Sequence, residues 1–340
     1  MFLKRKPGGI IKGQGCAERR KQRAYTAKED AASPTVANKA MFLMAVIDAT
    51  EGRKVAVLNV PGAFMQEDMD ELVHFRFTGK MVELLPEIDK DMYGPCVTTE
   101  GRQQVMYVEL LKALYGTLRA ARLFWEKLSE KLLEWGFTVN SYDSCVANKM
   151  VSGKQLTVVW HVDNLKASHQ EMEVLKWFAR LLNNEFGKET PITESYGRQH
   201  KYLGLQLDYS QCGEVRIMMV DYTKLILQDV PDDMKKGTAV TPAGNNLFRV
   251  NKNDPEELCI VQTEIFMHIV MQLLHLSQRA RPDIRTAVSF LCSCLNKPDM
   301  DNYKKLCRLI KYLCRTLDLP LRLSWDSTGL SYGGSMLHLQ

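Results

Sequence analysis

Two apolar stretches decide the fold of this chain: Val55-Ala56-Val57-Leu58-Asn59-Val60 and Val158-Val159-Trp160-His161-Val162-Asp163-Asn164. β-Branched and aromatic side chains dominate both, which is typical of buried strands. Each stretch ends on side chains that carry oxygen, namely Asn59 in the first and Asp163 with Asn164 in the second. The pattern predicts two core strands that bring these three side chains to one point.

Such a point is suited to phosphoryl transfer with two magnesium ions. One ion activates the attacking hydroxyl, and both stabilise the in-line transition state. Magnesium prefers carboxylate oxygens held at fixed separation on rigid strands. Three carboxylates would carry three negative charges, whereas Asn59, Asp163 and Asn164 carry only one. The strand pattern therefore favours a metal site, but two of the three candidate ligands are amides where such a site has carboxylates.

Each of these residues also has a plainer interpretation. Asp-Asn is a favoured turn pair, because both side chains bond to nearby backbone and tolerate left-handed conformations. Taken alone, Asp163-Asn164 is best explained as a hairpin turn, and Asn59 as a strand end. The nearby aspartates Asp68 and Asp70 lie in the loop that follows the Pro61-Gly62 break. We do not expect them to reach the site.

Length and composition indicate an ordinary globular protein. Its 340 residues allow two or three cooperating subdomains. Hydrophobic residues make up 45% of the chain and charged residues 25%, both within the usual range. The formal charge of +5 is unevenly spread, because basic residues concentrate in 1–28 and 304–315. Such clusters favour a polyanionic partner, although a solvated basic surface explains each of them equally well.

The nine cysteines are odd in number and scattered, and no secretion signal is recognised, which predicts reduced thiols and an intracellular protein. The longest apolar run, Met41 to Ile47, is too short to span a bilayer. Four cysteines in apolar helical stretches lack CxxC spacing, which predicts core packing rather than zinc binding: Cys292, Cys294, Cys307 and Cys314.

Periodicity predicts a mixture of helices and strands along the chain. Besides the strand at 55–60, a helix at 107–135, interrupted at Gly116, is expected to place Phe124, Leu128 and Leu132 on one apolar stripe. The remaining predictions are helices at 36–50, 170–186 and 221–229, strands at 73–77, 144–151, 155–163, 202–208 and 214–220, a polar linker at 231–258, and helix up to about 316.

The last predicted helix has two clearly different faces. Its apolar residues recur at helical spacing: Leu306, Ile310, Leu313 and Leu317. Its cations repeat the same spacing on the other side: Lys304, Arg308, Lys311 and Arg315. Such a ridge of cations can follow a phosphate backbone, although an ordinary surface helix has the same pattern.

Considered together, the motifs resemble the reverse transcriptase region of copia-type retrotransposon polyproteins, over nearly the whole chain. Each motif is weak by itself, but the ordered series is specific. The segments that carry the resemblance are Lys4–Tyr25, Ser33–Val36, Asn59–Phe64, Leu114–Ala121, Phe124-Trp125, His161–Asn164, Tyr202–Gly204, Arg281–Ile284 and Tyr303–Leu321.

The resemblance assigns expected roles to individual positions. The three catalytic aspartates of the family fall on Asn59, Asp163 and Asn164, so Asp163 alone is expected to bind metal. Phe64 matches the bulky residue that excludes a ribonucleotide 2′-hydroxyl, although a buried core phenylalanine is an equal alternative. The other implied nucleotide contacts are Arg119, where relatives usually have Gln, and Arg19, Arg20, Lys21 and Arg23. The implied primer support is Tyr202, Leu203 and Gly204, and the ridge on the last helix is the candidate contact to the nucleic-acid backbone.

The implied fold is α+β, a right-hand polymerase fold with a helical C-terminal connecting region. The expected ranges are fingers at 1–54 and 65–106, palm at 55–64 and 107–210, thumb and connection helices at 211–320, and a remnant at 321–340 before a missing ribonuclease H domain. Expected partners are an RNA template, a DNA primer and other parts of a retrotransposon polyprotein, without a membrane. An active enzyme would add dNTPs and Mg²⁺ or Mn²⁺.

Three departures, Asn59, Asn164 and Arg119, fall on functional positions. The sequence therefore predicts an RNA-directed DNA polymerase domain that is catalytically impaired at two metal-ligand positions. The alternatives are a working polymerase that tolerates the asparagines, a non-catalytic nucleic-acid-binding remnant or domesticated protein, and a relic without a cellular role. The expected location is the cytoplasm, in a virus-like particle, or the nucleus.

Overall fold

The structure is a computed structural model that describes residues 2–5, 11–17, 22, 27, 32–250 and 256–325. The chain divides into two compact units, each assembled from separate stretches. The first unit comprises 1–36, 58–165 and 176–193, and the second comprises 37–57, 166–175 and 194–340.

Strands occur throughout the described residues. In chain order they are β1 Phe2–Arg5, β2 Ile11–Gln14, β3 Lys54–Asn59, β4 His74–Thr78, β5 Val97–Glu100, β6 Gln103–Glu109, β7 Thr138–Val139, β8 Val146–Val151, β9 Lys154–His161, β10 Asn164–His169, β11 Thr193–Gly197, β12 Gln199–Tyr202, β13 Leu205–Asp208, β14 Glu214–Met218 and β15 Leu321–Ser324.

The helices are α1 Asn38–Thr50, α2 Lys80–Ile88, α3 Lys90–Tyr93, α4 Ala120–Glu134, α5 Met172–Phe186, α6 Val220–Asp229, α7 Asp232–Lys235, α8 Ile260–Arg279, α9 Arg285–Ser293 and α10 Met300–Arg315. Short 3₁₀ turns occupy Ala63–Gln66, Gly94–Cys96 and Pro282–Ile284. The mixture of helices and strands confirms the predicted α+β class.

The strands that carry the predicted site belong to a six-stranded sheet with the order β11-β3-β10-β9-β8-β7. Residues 156–160 of β9 and 165–169 of β10 are buried without interruption. Strands covered on both faces often have near-continuous apolar sequences, which explains why 156–160 was recognisable. Strand β10 was not predicted, because it contains Lys166, Ser168 and His169. The predicted strand at 55–60 and the hairpin at 144–163 are confirmed within two residues.

In the first unit, the predicted helix at 107–135 begins only at Ala120. Residues 103–109 instead form β6, which pairs with β4 and β5 in a three-stranded sheet. Gly116 has a φ of +95°, which an α-helix cannot contain. The prediction was therefore wrong before 120, because strand pairing overrode the apolar spacing. The helical part is confirmed, since Phe124, Leu128 and Leu132 are fully buried.

In the second unit, the strand expected at 202–208 is split by a turn at Leu203-Gly204 into β12 and β13. Both turn residues have positive φ, +50° and +80°, as a two-residue type I′ hairpin loop requires. Strands β12 to β15 form a four-stranded sheet, and α1 packs on β14 and β15. The expected linker at 231–258 contains the short helix α7.

The helices after position 259 follow the prediction, with breaks at 280–284 and 294–299. Leu306, Ile310 and Leu313 are buried on α10, whereas Leu317 lies beyond its end. All nine cysteines are free. The four C-terminal cysteines are not core residues as predicted, because three are half-buried and Cys314 is exposed. None of the helices in the described ranges has the length and apolar character needed to cross a membrane.

Candidate active site

Asn59, Asp163 and Asn164 come together in the first unit, as the sequence predicts. Asn59 is the last residue of β3, Asn164 is the first of β10, and Asp163 lies in the turn between β9 and β10. The backbone N–H of Val60 donates to the carbonyl oxygen of Asp163 at 2.9 Å. This bond fixes the end of β3 to the turn, so that three half-buried polar side chains share one location.

The three side chains form a continuous hydrogen-bond chain. The Asn59 amide Nδ2 donates to Asn164 Oδ1 at 3.3 Å and to the Asp163 carbonyl oxygen at 3.3 Å. Asn164 Nδ2 in turn donates to Asp163 Oδ1 at 2.7 Å. Carboxylates at positions 59 and 164 could not donate these bonds, since an ionised carboxylate only accepts. The Asn164 amide thus bonds to the single charged group of the site, and the Asn59 amide orients Asn164.

The turn that presents Asp163 has an unusual backbone. Val162 has a φ of +55°, whereas Asp163 is not among the residues of positive φ. A two-residue hairpin loop with positive φ only at its first position is the type II′ pattern, which favours glycine there. A β-branched residue in this region is an outlier, and a left-handed backbone costs about 1–2 kcal/mol. The strain is local to the residue that precedes Asp163.

Phe64 and Tyr115 form an aromatic pair in the first unit. Phe64 lies in the 3₁₀ turn Ala63–Gln66 and is 8% exposed. Its ring centroid is 4.3 Å from that of Tyr115. Burial, with a smaller contribution from the negative charge of Asp163, raises the pKa of Tyr115 to about 12. Tyr115 therefore keeps its proton at neutral pH, and its hydroxyl remains available as a donor.

The N-terminal stretch reaches Tyr115 and Gly116. The Ala17 N–H donates to the Tyr115 carbonyl oxygen at 2.8 Å. A Cβ at Gly116 would lie 2.7 Å from the Ala17 nitrogen and closer still to its oxygen, so no larger residue fits. The four basic residues that follow Ala17 in the sequence and are candidates for nucleotide binding lie outside the described residues: Arg19, Arg20, Lys21 and Arg23.

Arg119 is held by an acid of the loop that follows β3. Its guanidinium Nη2 lies 2.5 Å from Asp70 Oδ2, with both side chains partly exposed. The neighbouring Asp68 pairs with Lys112 at 2.7 Å. Both aspartates of this loop therefore have a cation as partner.

The primer-support candidates and the cation ridge lie in the second unit. Tyr202 is buried at the end of β12, and Arg279 of α8 donates through Nη1 to the Leu203 carbonyl oxygen at 3.1 Å. This bond anchors the turn of Leu203 and Gly204. On α10, Lys304, Arg308 and Arg315 are exposed and Lys311 is half-buried.

Comparison with known proteins shows the family of the chain. Residues 9–243, more than half of the chain, match the family model described as reverse transcriptase (RNA-dependent DNA polymerase). The chain belongs to the reverse transcriptase family. A Saccharomyces cerevisiae protein assigned to the Ty5-1 transposon is 22% identical over 268 residues, which cover 78% of each chain. The predicted resemblance to copia-type reverse transcriptases is confirmed.

A structure of a foamy viral protease-reverse transcriptase in complex with double-stranded DNA also matches this reverse transcriptase chain. The TM-score is 0.40 and the sequence identity 10%, over 86% of the present chain. The chain spans 40% of the length of that viral protein.

Members of the family generally use divalent metal ions, so the donor set of this reverse transcriptase can be tested against them. Within the described ranges, no group of three or more His, Cys, Asp or Glu side chains could hold a metal ion. At the predicted site, Asn59 and Asn164 turn amide N–H groups toward their neighbours, and such groups repel a cation. One carboxylate and two donating amides do not fit a pair of divalent ions.

Sequence reasoning missed several residues that shape these regions. Tyr115 was quoted as part of a motif without a role, although an aromatic residue beside Gly116 was the available signal. Asp70 was considered only as a metal ligand and not as the partner of Arg119. The pairing of Asp48 with Lys166, both 1% exposed, had no signal in the sequence, because the two residues are far apart along the chain.

Proposed function

We propose that this reverse transcriptase domain of a copia-type element binds a template-primer but is impaired in nucleotide incorporation. The observation that carries the proposal is the hydrogen-bond chain from Asn59 through Asn164 to Asp163. In this chain, amide donors occupy the positions where the family resemblance expects carboxylates. The predicted substrates are an RNA template, a DNA primer and dNTPs.

Charge explains why two amides matter. Three carboxylates hold two divalent ions because their negative charge balances much of the positive charge, whereas one carboxylate cannot hold the second ion. Removing one well-placed electrostatic element from an active site costs about 10²–10³ in rate. Positions 59 and 164 each lack such an element, so we expect a combined loss well above 10².

Other parts of the expected machinery support a polymerase ancestry rather than a different activity. Phe64 is nearly buried beside Tyr115, and a backbone bond joins β3 to the turn of Asp163. These features are compatible with the role of Phe64 in excluding a 2′-hydroxyl, which stays a prediction. Asp163 remains the one predicted metal ligand of the three positions.

The test is primer extension by the purified chain on an RNA template, with Mg²⁺ and separately with Mn²⁺. We expect incorporation by the wild-type protein to be weak or absent and the N59D/N164D variant to exceed it by at least about 10². Asp163→Ala in the restored background is the matched control and should abolish the gain. Wild-type incorporation that equals that of N59D/N164D and depends on Asp163 would overturn the proposal.

A second candidate function is nucleic-acid binding without any recoverable chemistry. The exposed cations of α10 favour it, since they form no ion pair with any described residue. This candidate predicts that N59D/N164D binds template-primer and still incorporates nothing. In that case Arg119, paired with Asp70 where relatives usually have Gln, is the next position to restore.

A further inference from the structure

A polar cleft lies in the second unit between residues 241–249 and helix α10. One cavity of about 400 Å³ is lined by Thr241, Gly244, Asn246, Arg249 and Arg308, among others. A neighbouring cavity of about 230 Å³ shares Gly244, Asn246 and Arg308 with the first and is also lined by Lys304. The volume of the first cavity is within the range of small-molecule sites.

The guanidinium of Arg308 is held in one orientation at this cleft. Its Nε donates to the Thr241 carbonyl oxygen at 3.3 Å, and its Nη2 donates to Thr241 Oγ1 at 2.9 Å. The third nitrogen, Nη1, lies beside Gly244, since a Cβ built on that glycine would be 3.8 Å from it. The Arg308 side chain is exposed, and a guanidinium already fixed on one edge by Thr241 loses little further side-chain entropy when its remaining N–H groups bind an anion.

The loop that carries Arg249 is itself fastened to α10. Lys305 Nζ donates to the Arg249 carbonyl oxygen at 2.6 Å and pairs with Asp301 at 2.8 Å. Leu247 is buried beneath the loop. Asp301 lines the smaller cavity, but Lys305 already offsets its charge. The Arg249 side chain is exposed and pairs with no acid among the described residues.

We propose that this cleft, formed by Arg249, Arg308, Lys304 and Thr241, is a phosphate-binding pocket. Two guanidinium groups and an ammonium group supply the charge that a phosphate group requires, and guanidinium forks match its oxygens. The phosphate comes either from a nucleic-acid backbone or from a free phosphate group. The nucleic-acid source rests on the proposed function, whereas the pocket itself does not.

The backbone source agrees with the position of the pocket. Arg308 also belongs to the ridge of Lys304, Arg308, Lys311 and Arg315, which extends about 16 Å along α10. A strand whose phosphate occupies the pocket could continue along the remaining cations. The pocket would then fix the register of the strand at one end of the ridge.

The experiment compares the full-length wild-type chain with R249Q/R308Q, T241V and the control R322Q. Arg322 is an exposed arginine of the same unit on β15. Binding of a blunt RNA–DNA hybrid is measured by fluorescence anisotropy over a series of salt concentrations. Binding of inorganic phosphate is measured by calorimetry at constant ionic strength, and circular dichroism checks that each variant is folded.

If a backbone phosphate occupies the pocket, R249Q/R308Q lowers the slope of log K against log salt by about 0.9, because the contact to one phosphate is lost. T241V retains the charge, so it keeps the slope and weakens binding about threefold. R322Q matches the wild type in both respects.

If a free phosphate group occupies the pocket, R249Q/R308Q abolishes calorimetric binding of phosphate and leaves the slope for the hybrid unchanged. The pocket assignment is overturned when neither measurement changes, or when R322Q reduces binding as much as R249Q/R308Q does. A wild-type chain that fails to bind the hybrid removes nucleic-acid binding from the proposed function, while the phosphate titration still decides the pocket.

Discussion

Positions 164 and 166 lie two residues apart on β10, yet their polar side chains are used in opposite ways. Lys166 forms an ion pair with Asp48, and both side chains are 1% exposed. Asn164 is half-buried and uncharged, where the family resemblance expects a carboxylate. The contrast shows that stability and chemistry constrain this strand separately. Asp48 and Lys166 depend on each other because an unpaired buried charge is costly, whereas an amide at position 164 finds a hydrogen-bond partner immediately.

Breaking the buried pair tests the stability side of this contrast and has the largest expected effect. K166M leaves the Asp48 carboxylate buried without its cation, so we expect the free energy of unfolding to fall by about 3–5 kcal/mol. Urea denaturation measures the change. The double variant D48L/K166M should recover most of the loss, because it removes both charges together. Equal losses in the single and double variants would show that packing, and not charge, is responsible.

Placing carboxylates at positions 59 and 164 tests the other half of the contrast, the chemistry of the site. In the absence of divalent ions, N59D/N164D loses the amide donors and gathers three acids, so we expect a destabilisation of about 1–3 kcal/mol. Mg²⁺ should reverse this loss by binding the folded state, and thermal unfolding with and without Mg²⁺ measures both effects. The wild type serves as the control and should show a much smaller response. A variant that ignores Mg²⁺ would mean that the strands do not present the carboxylates correctly.

The ionisation of the Tyr115 hydroxyl responds to the negative charge of Asp163. Its pKa of about 12 lies above the ordinary value of 10, so the unfolded chain releases this proton first as the pH rises. The contribution to stability is complete below pH 10 and is lost as the pH approaches 12. We expect D163N to lower the pKa of Tyr115 while leaving it above 10, because burial is the larger cause.

Ultraviolet titration of tyrosine ionisation measures this pKa. Tyr115→Phe identifies the signal by difference, since the other tyrosines are unchanged. An unaltered pKa in D163N would show that the carboxylate has no electrostatic influence on Tyr115.

Arg119 and Asp70 form an ion pair that is less buried than that of Asp48 and Lys166. The smallest change in stability is expected for this pair. Both side chains are partly exposed, so a double-mutant cycle with R119Q and D70N should give a coupling of about 0.2–1 kcal/mol. Asp68 and Lys112 are the matched control, because their more exposed pair should couple more weakly. A coupling above 2 kcal/mol would place Arg119 with the buried charges.

The sequence was sufficient for the buried strands with apolar sequences, but not for β10, whose buried residues include Lys166, Ser168 and His169. Residues 55–60 and 156–163 were recognisable because buried strands are almost wholly apolar, and the side chains at their ends could be placed together from the hairpin alone. Residues 107–119 were assigned to a helix incorrectly, because β6 gains its stability from β4 and β5, which local spacing does not reveal.

The character of the site was only partly predictable. The sequence identified Asn59, Asp163 and Asn164 and their charge deficit, but it gave no direction for the amide groups. Whether an asparagine presents its oxygen or its N–H groups depends on the positions of its neighbours in space, here Asp163 in the adjacent turn and Asn59 on another strand. The pairing of Asp48 with Lys166 was hidden for the same reason, because neither residue has a local pattern that indicates a buried partner.

The short hydrogen bond from Asn164 to Asp163 also affects how this lineage can change. Asparagine and aspartate codons differ by one base, so each reversion is genetically simple. Asp at position 164 alone removes the amide donor and sets a second carboxylate beside Asp163, while position 59 still carries an amide. Such a single change sets two carboxylates side by side without the amide donor that now stabilises Asp163. If positions 59 and 164 are metal-ligand positions, as proposed, the change at 164 alone is therefore expected to destabilise the site without completing its ligand set.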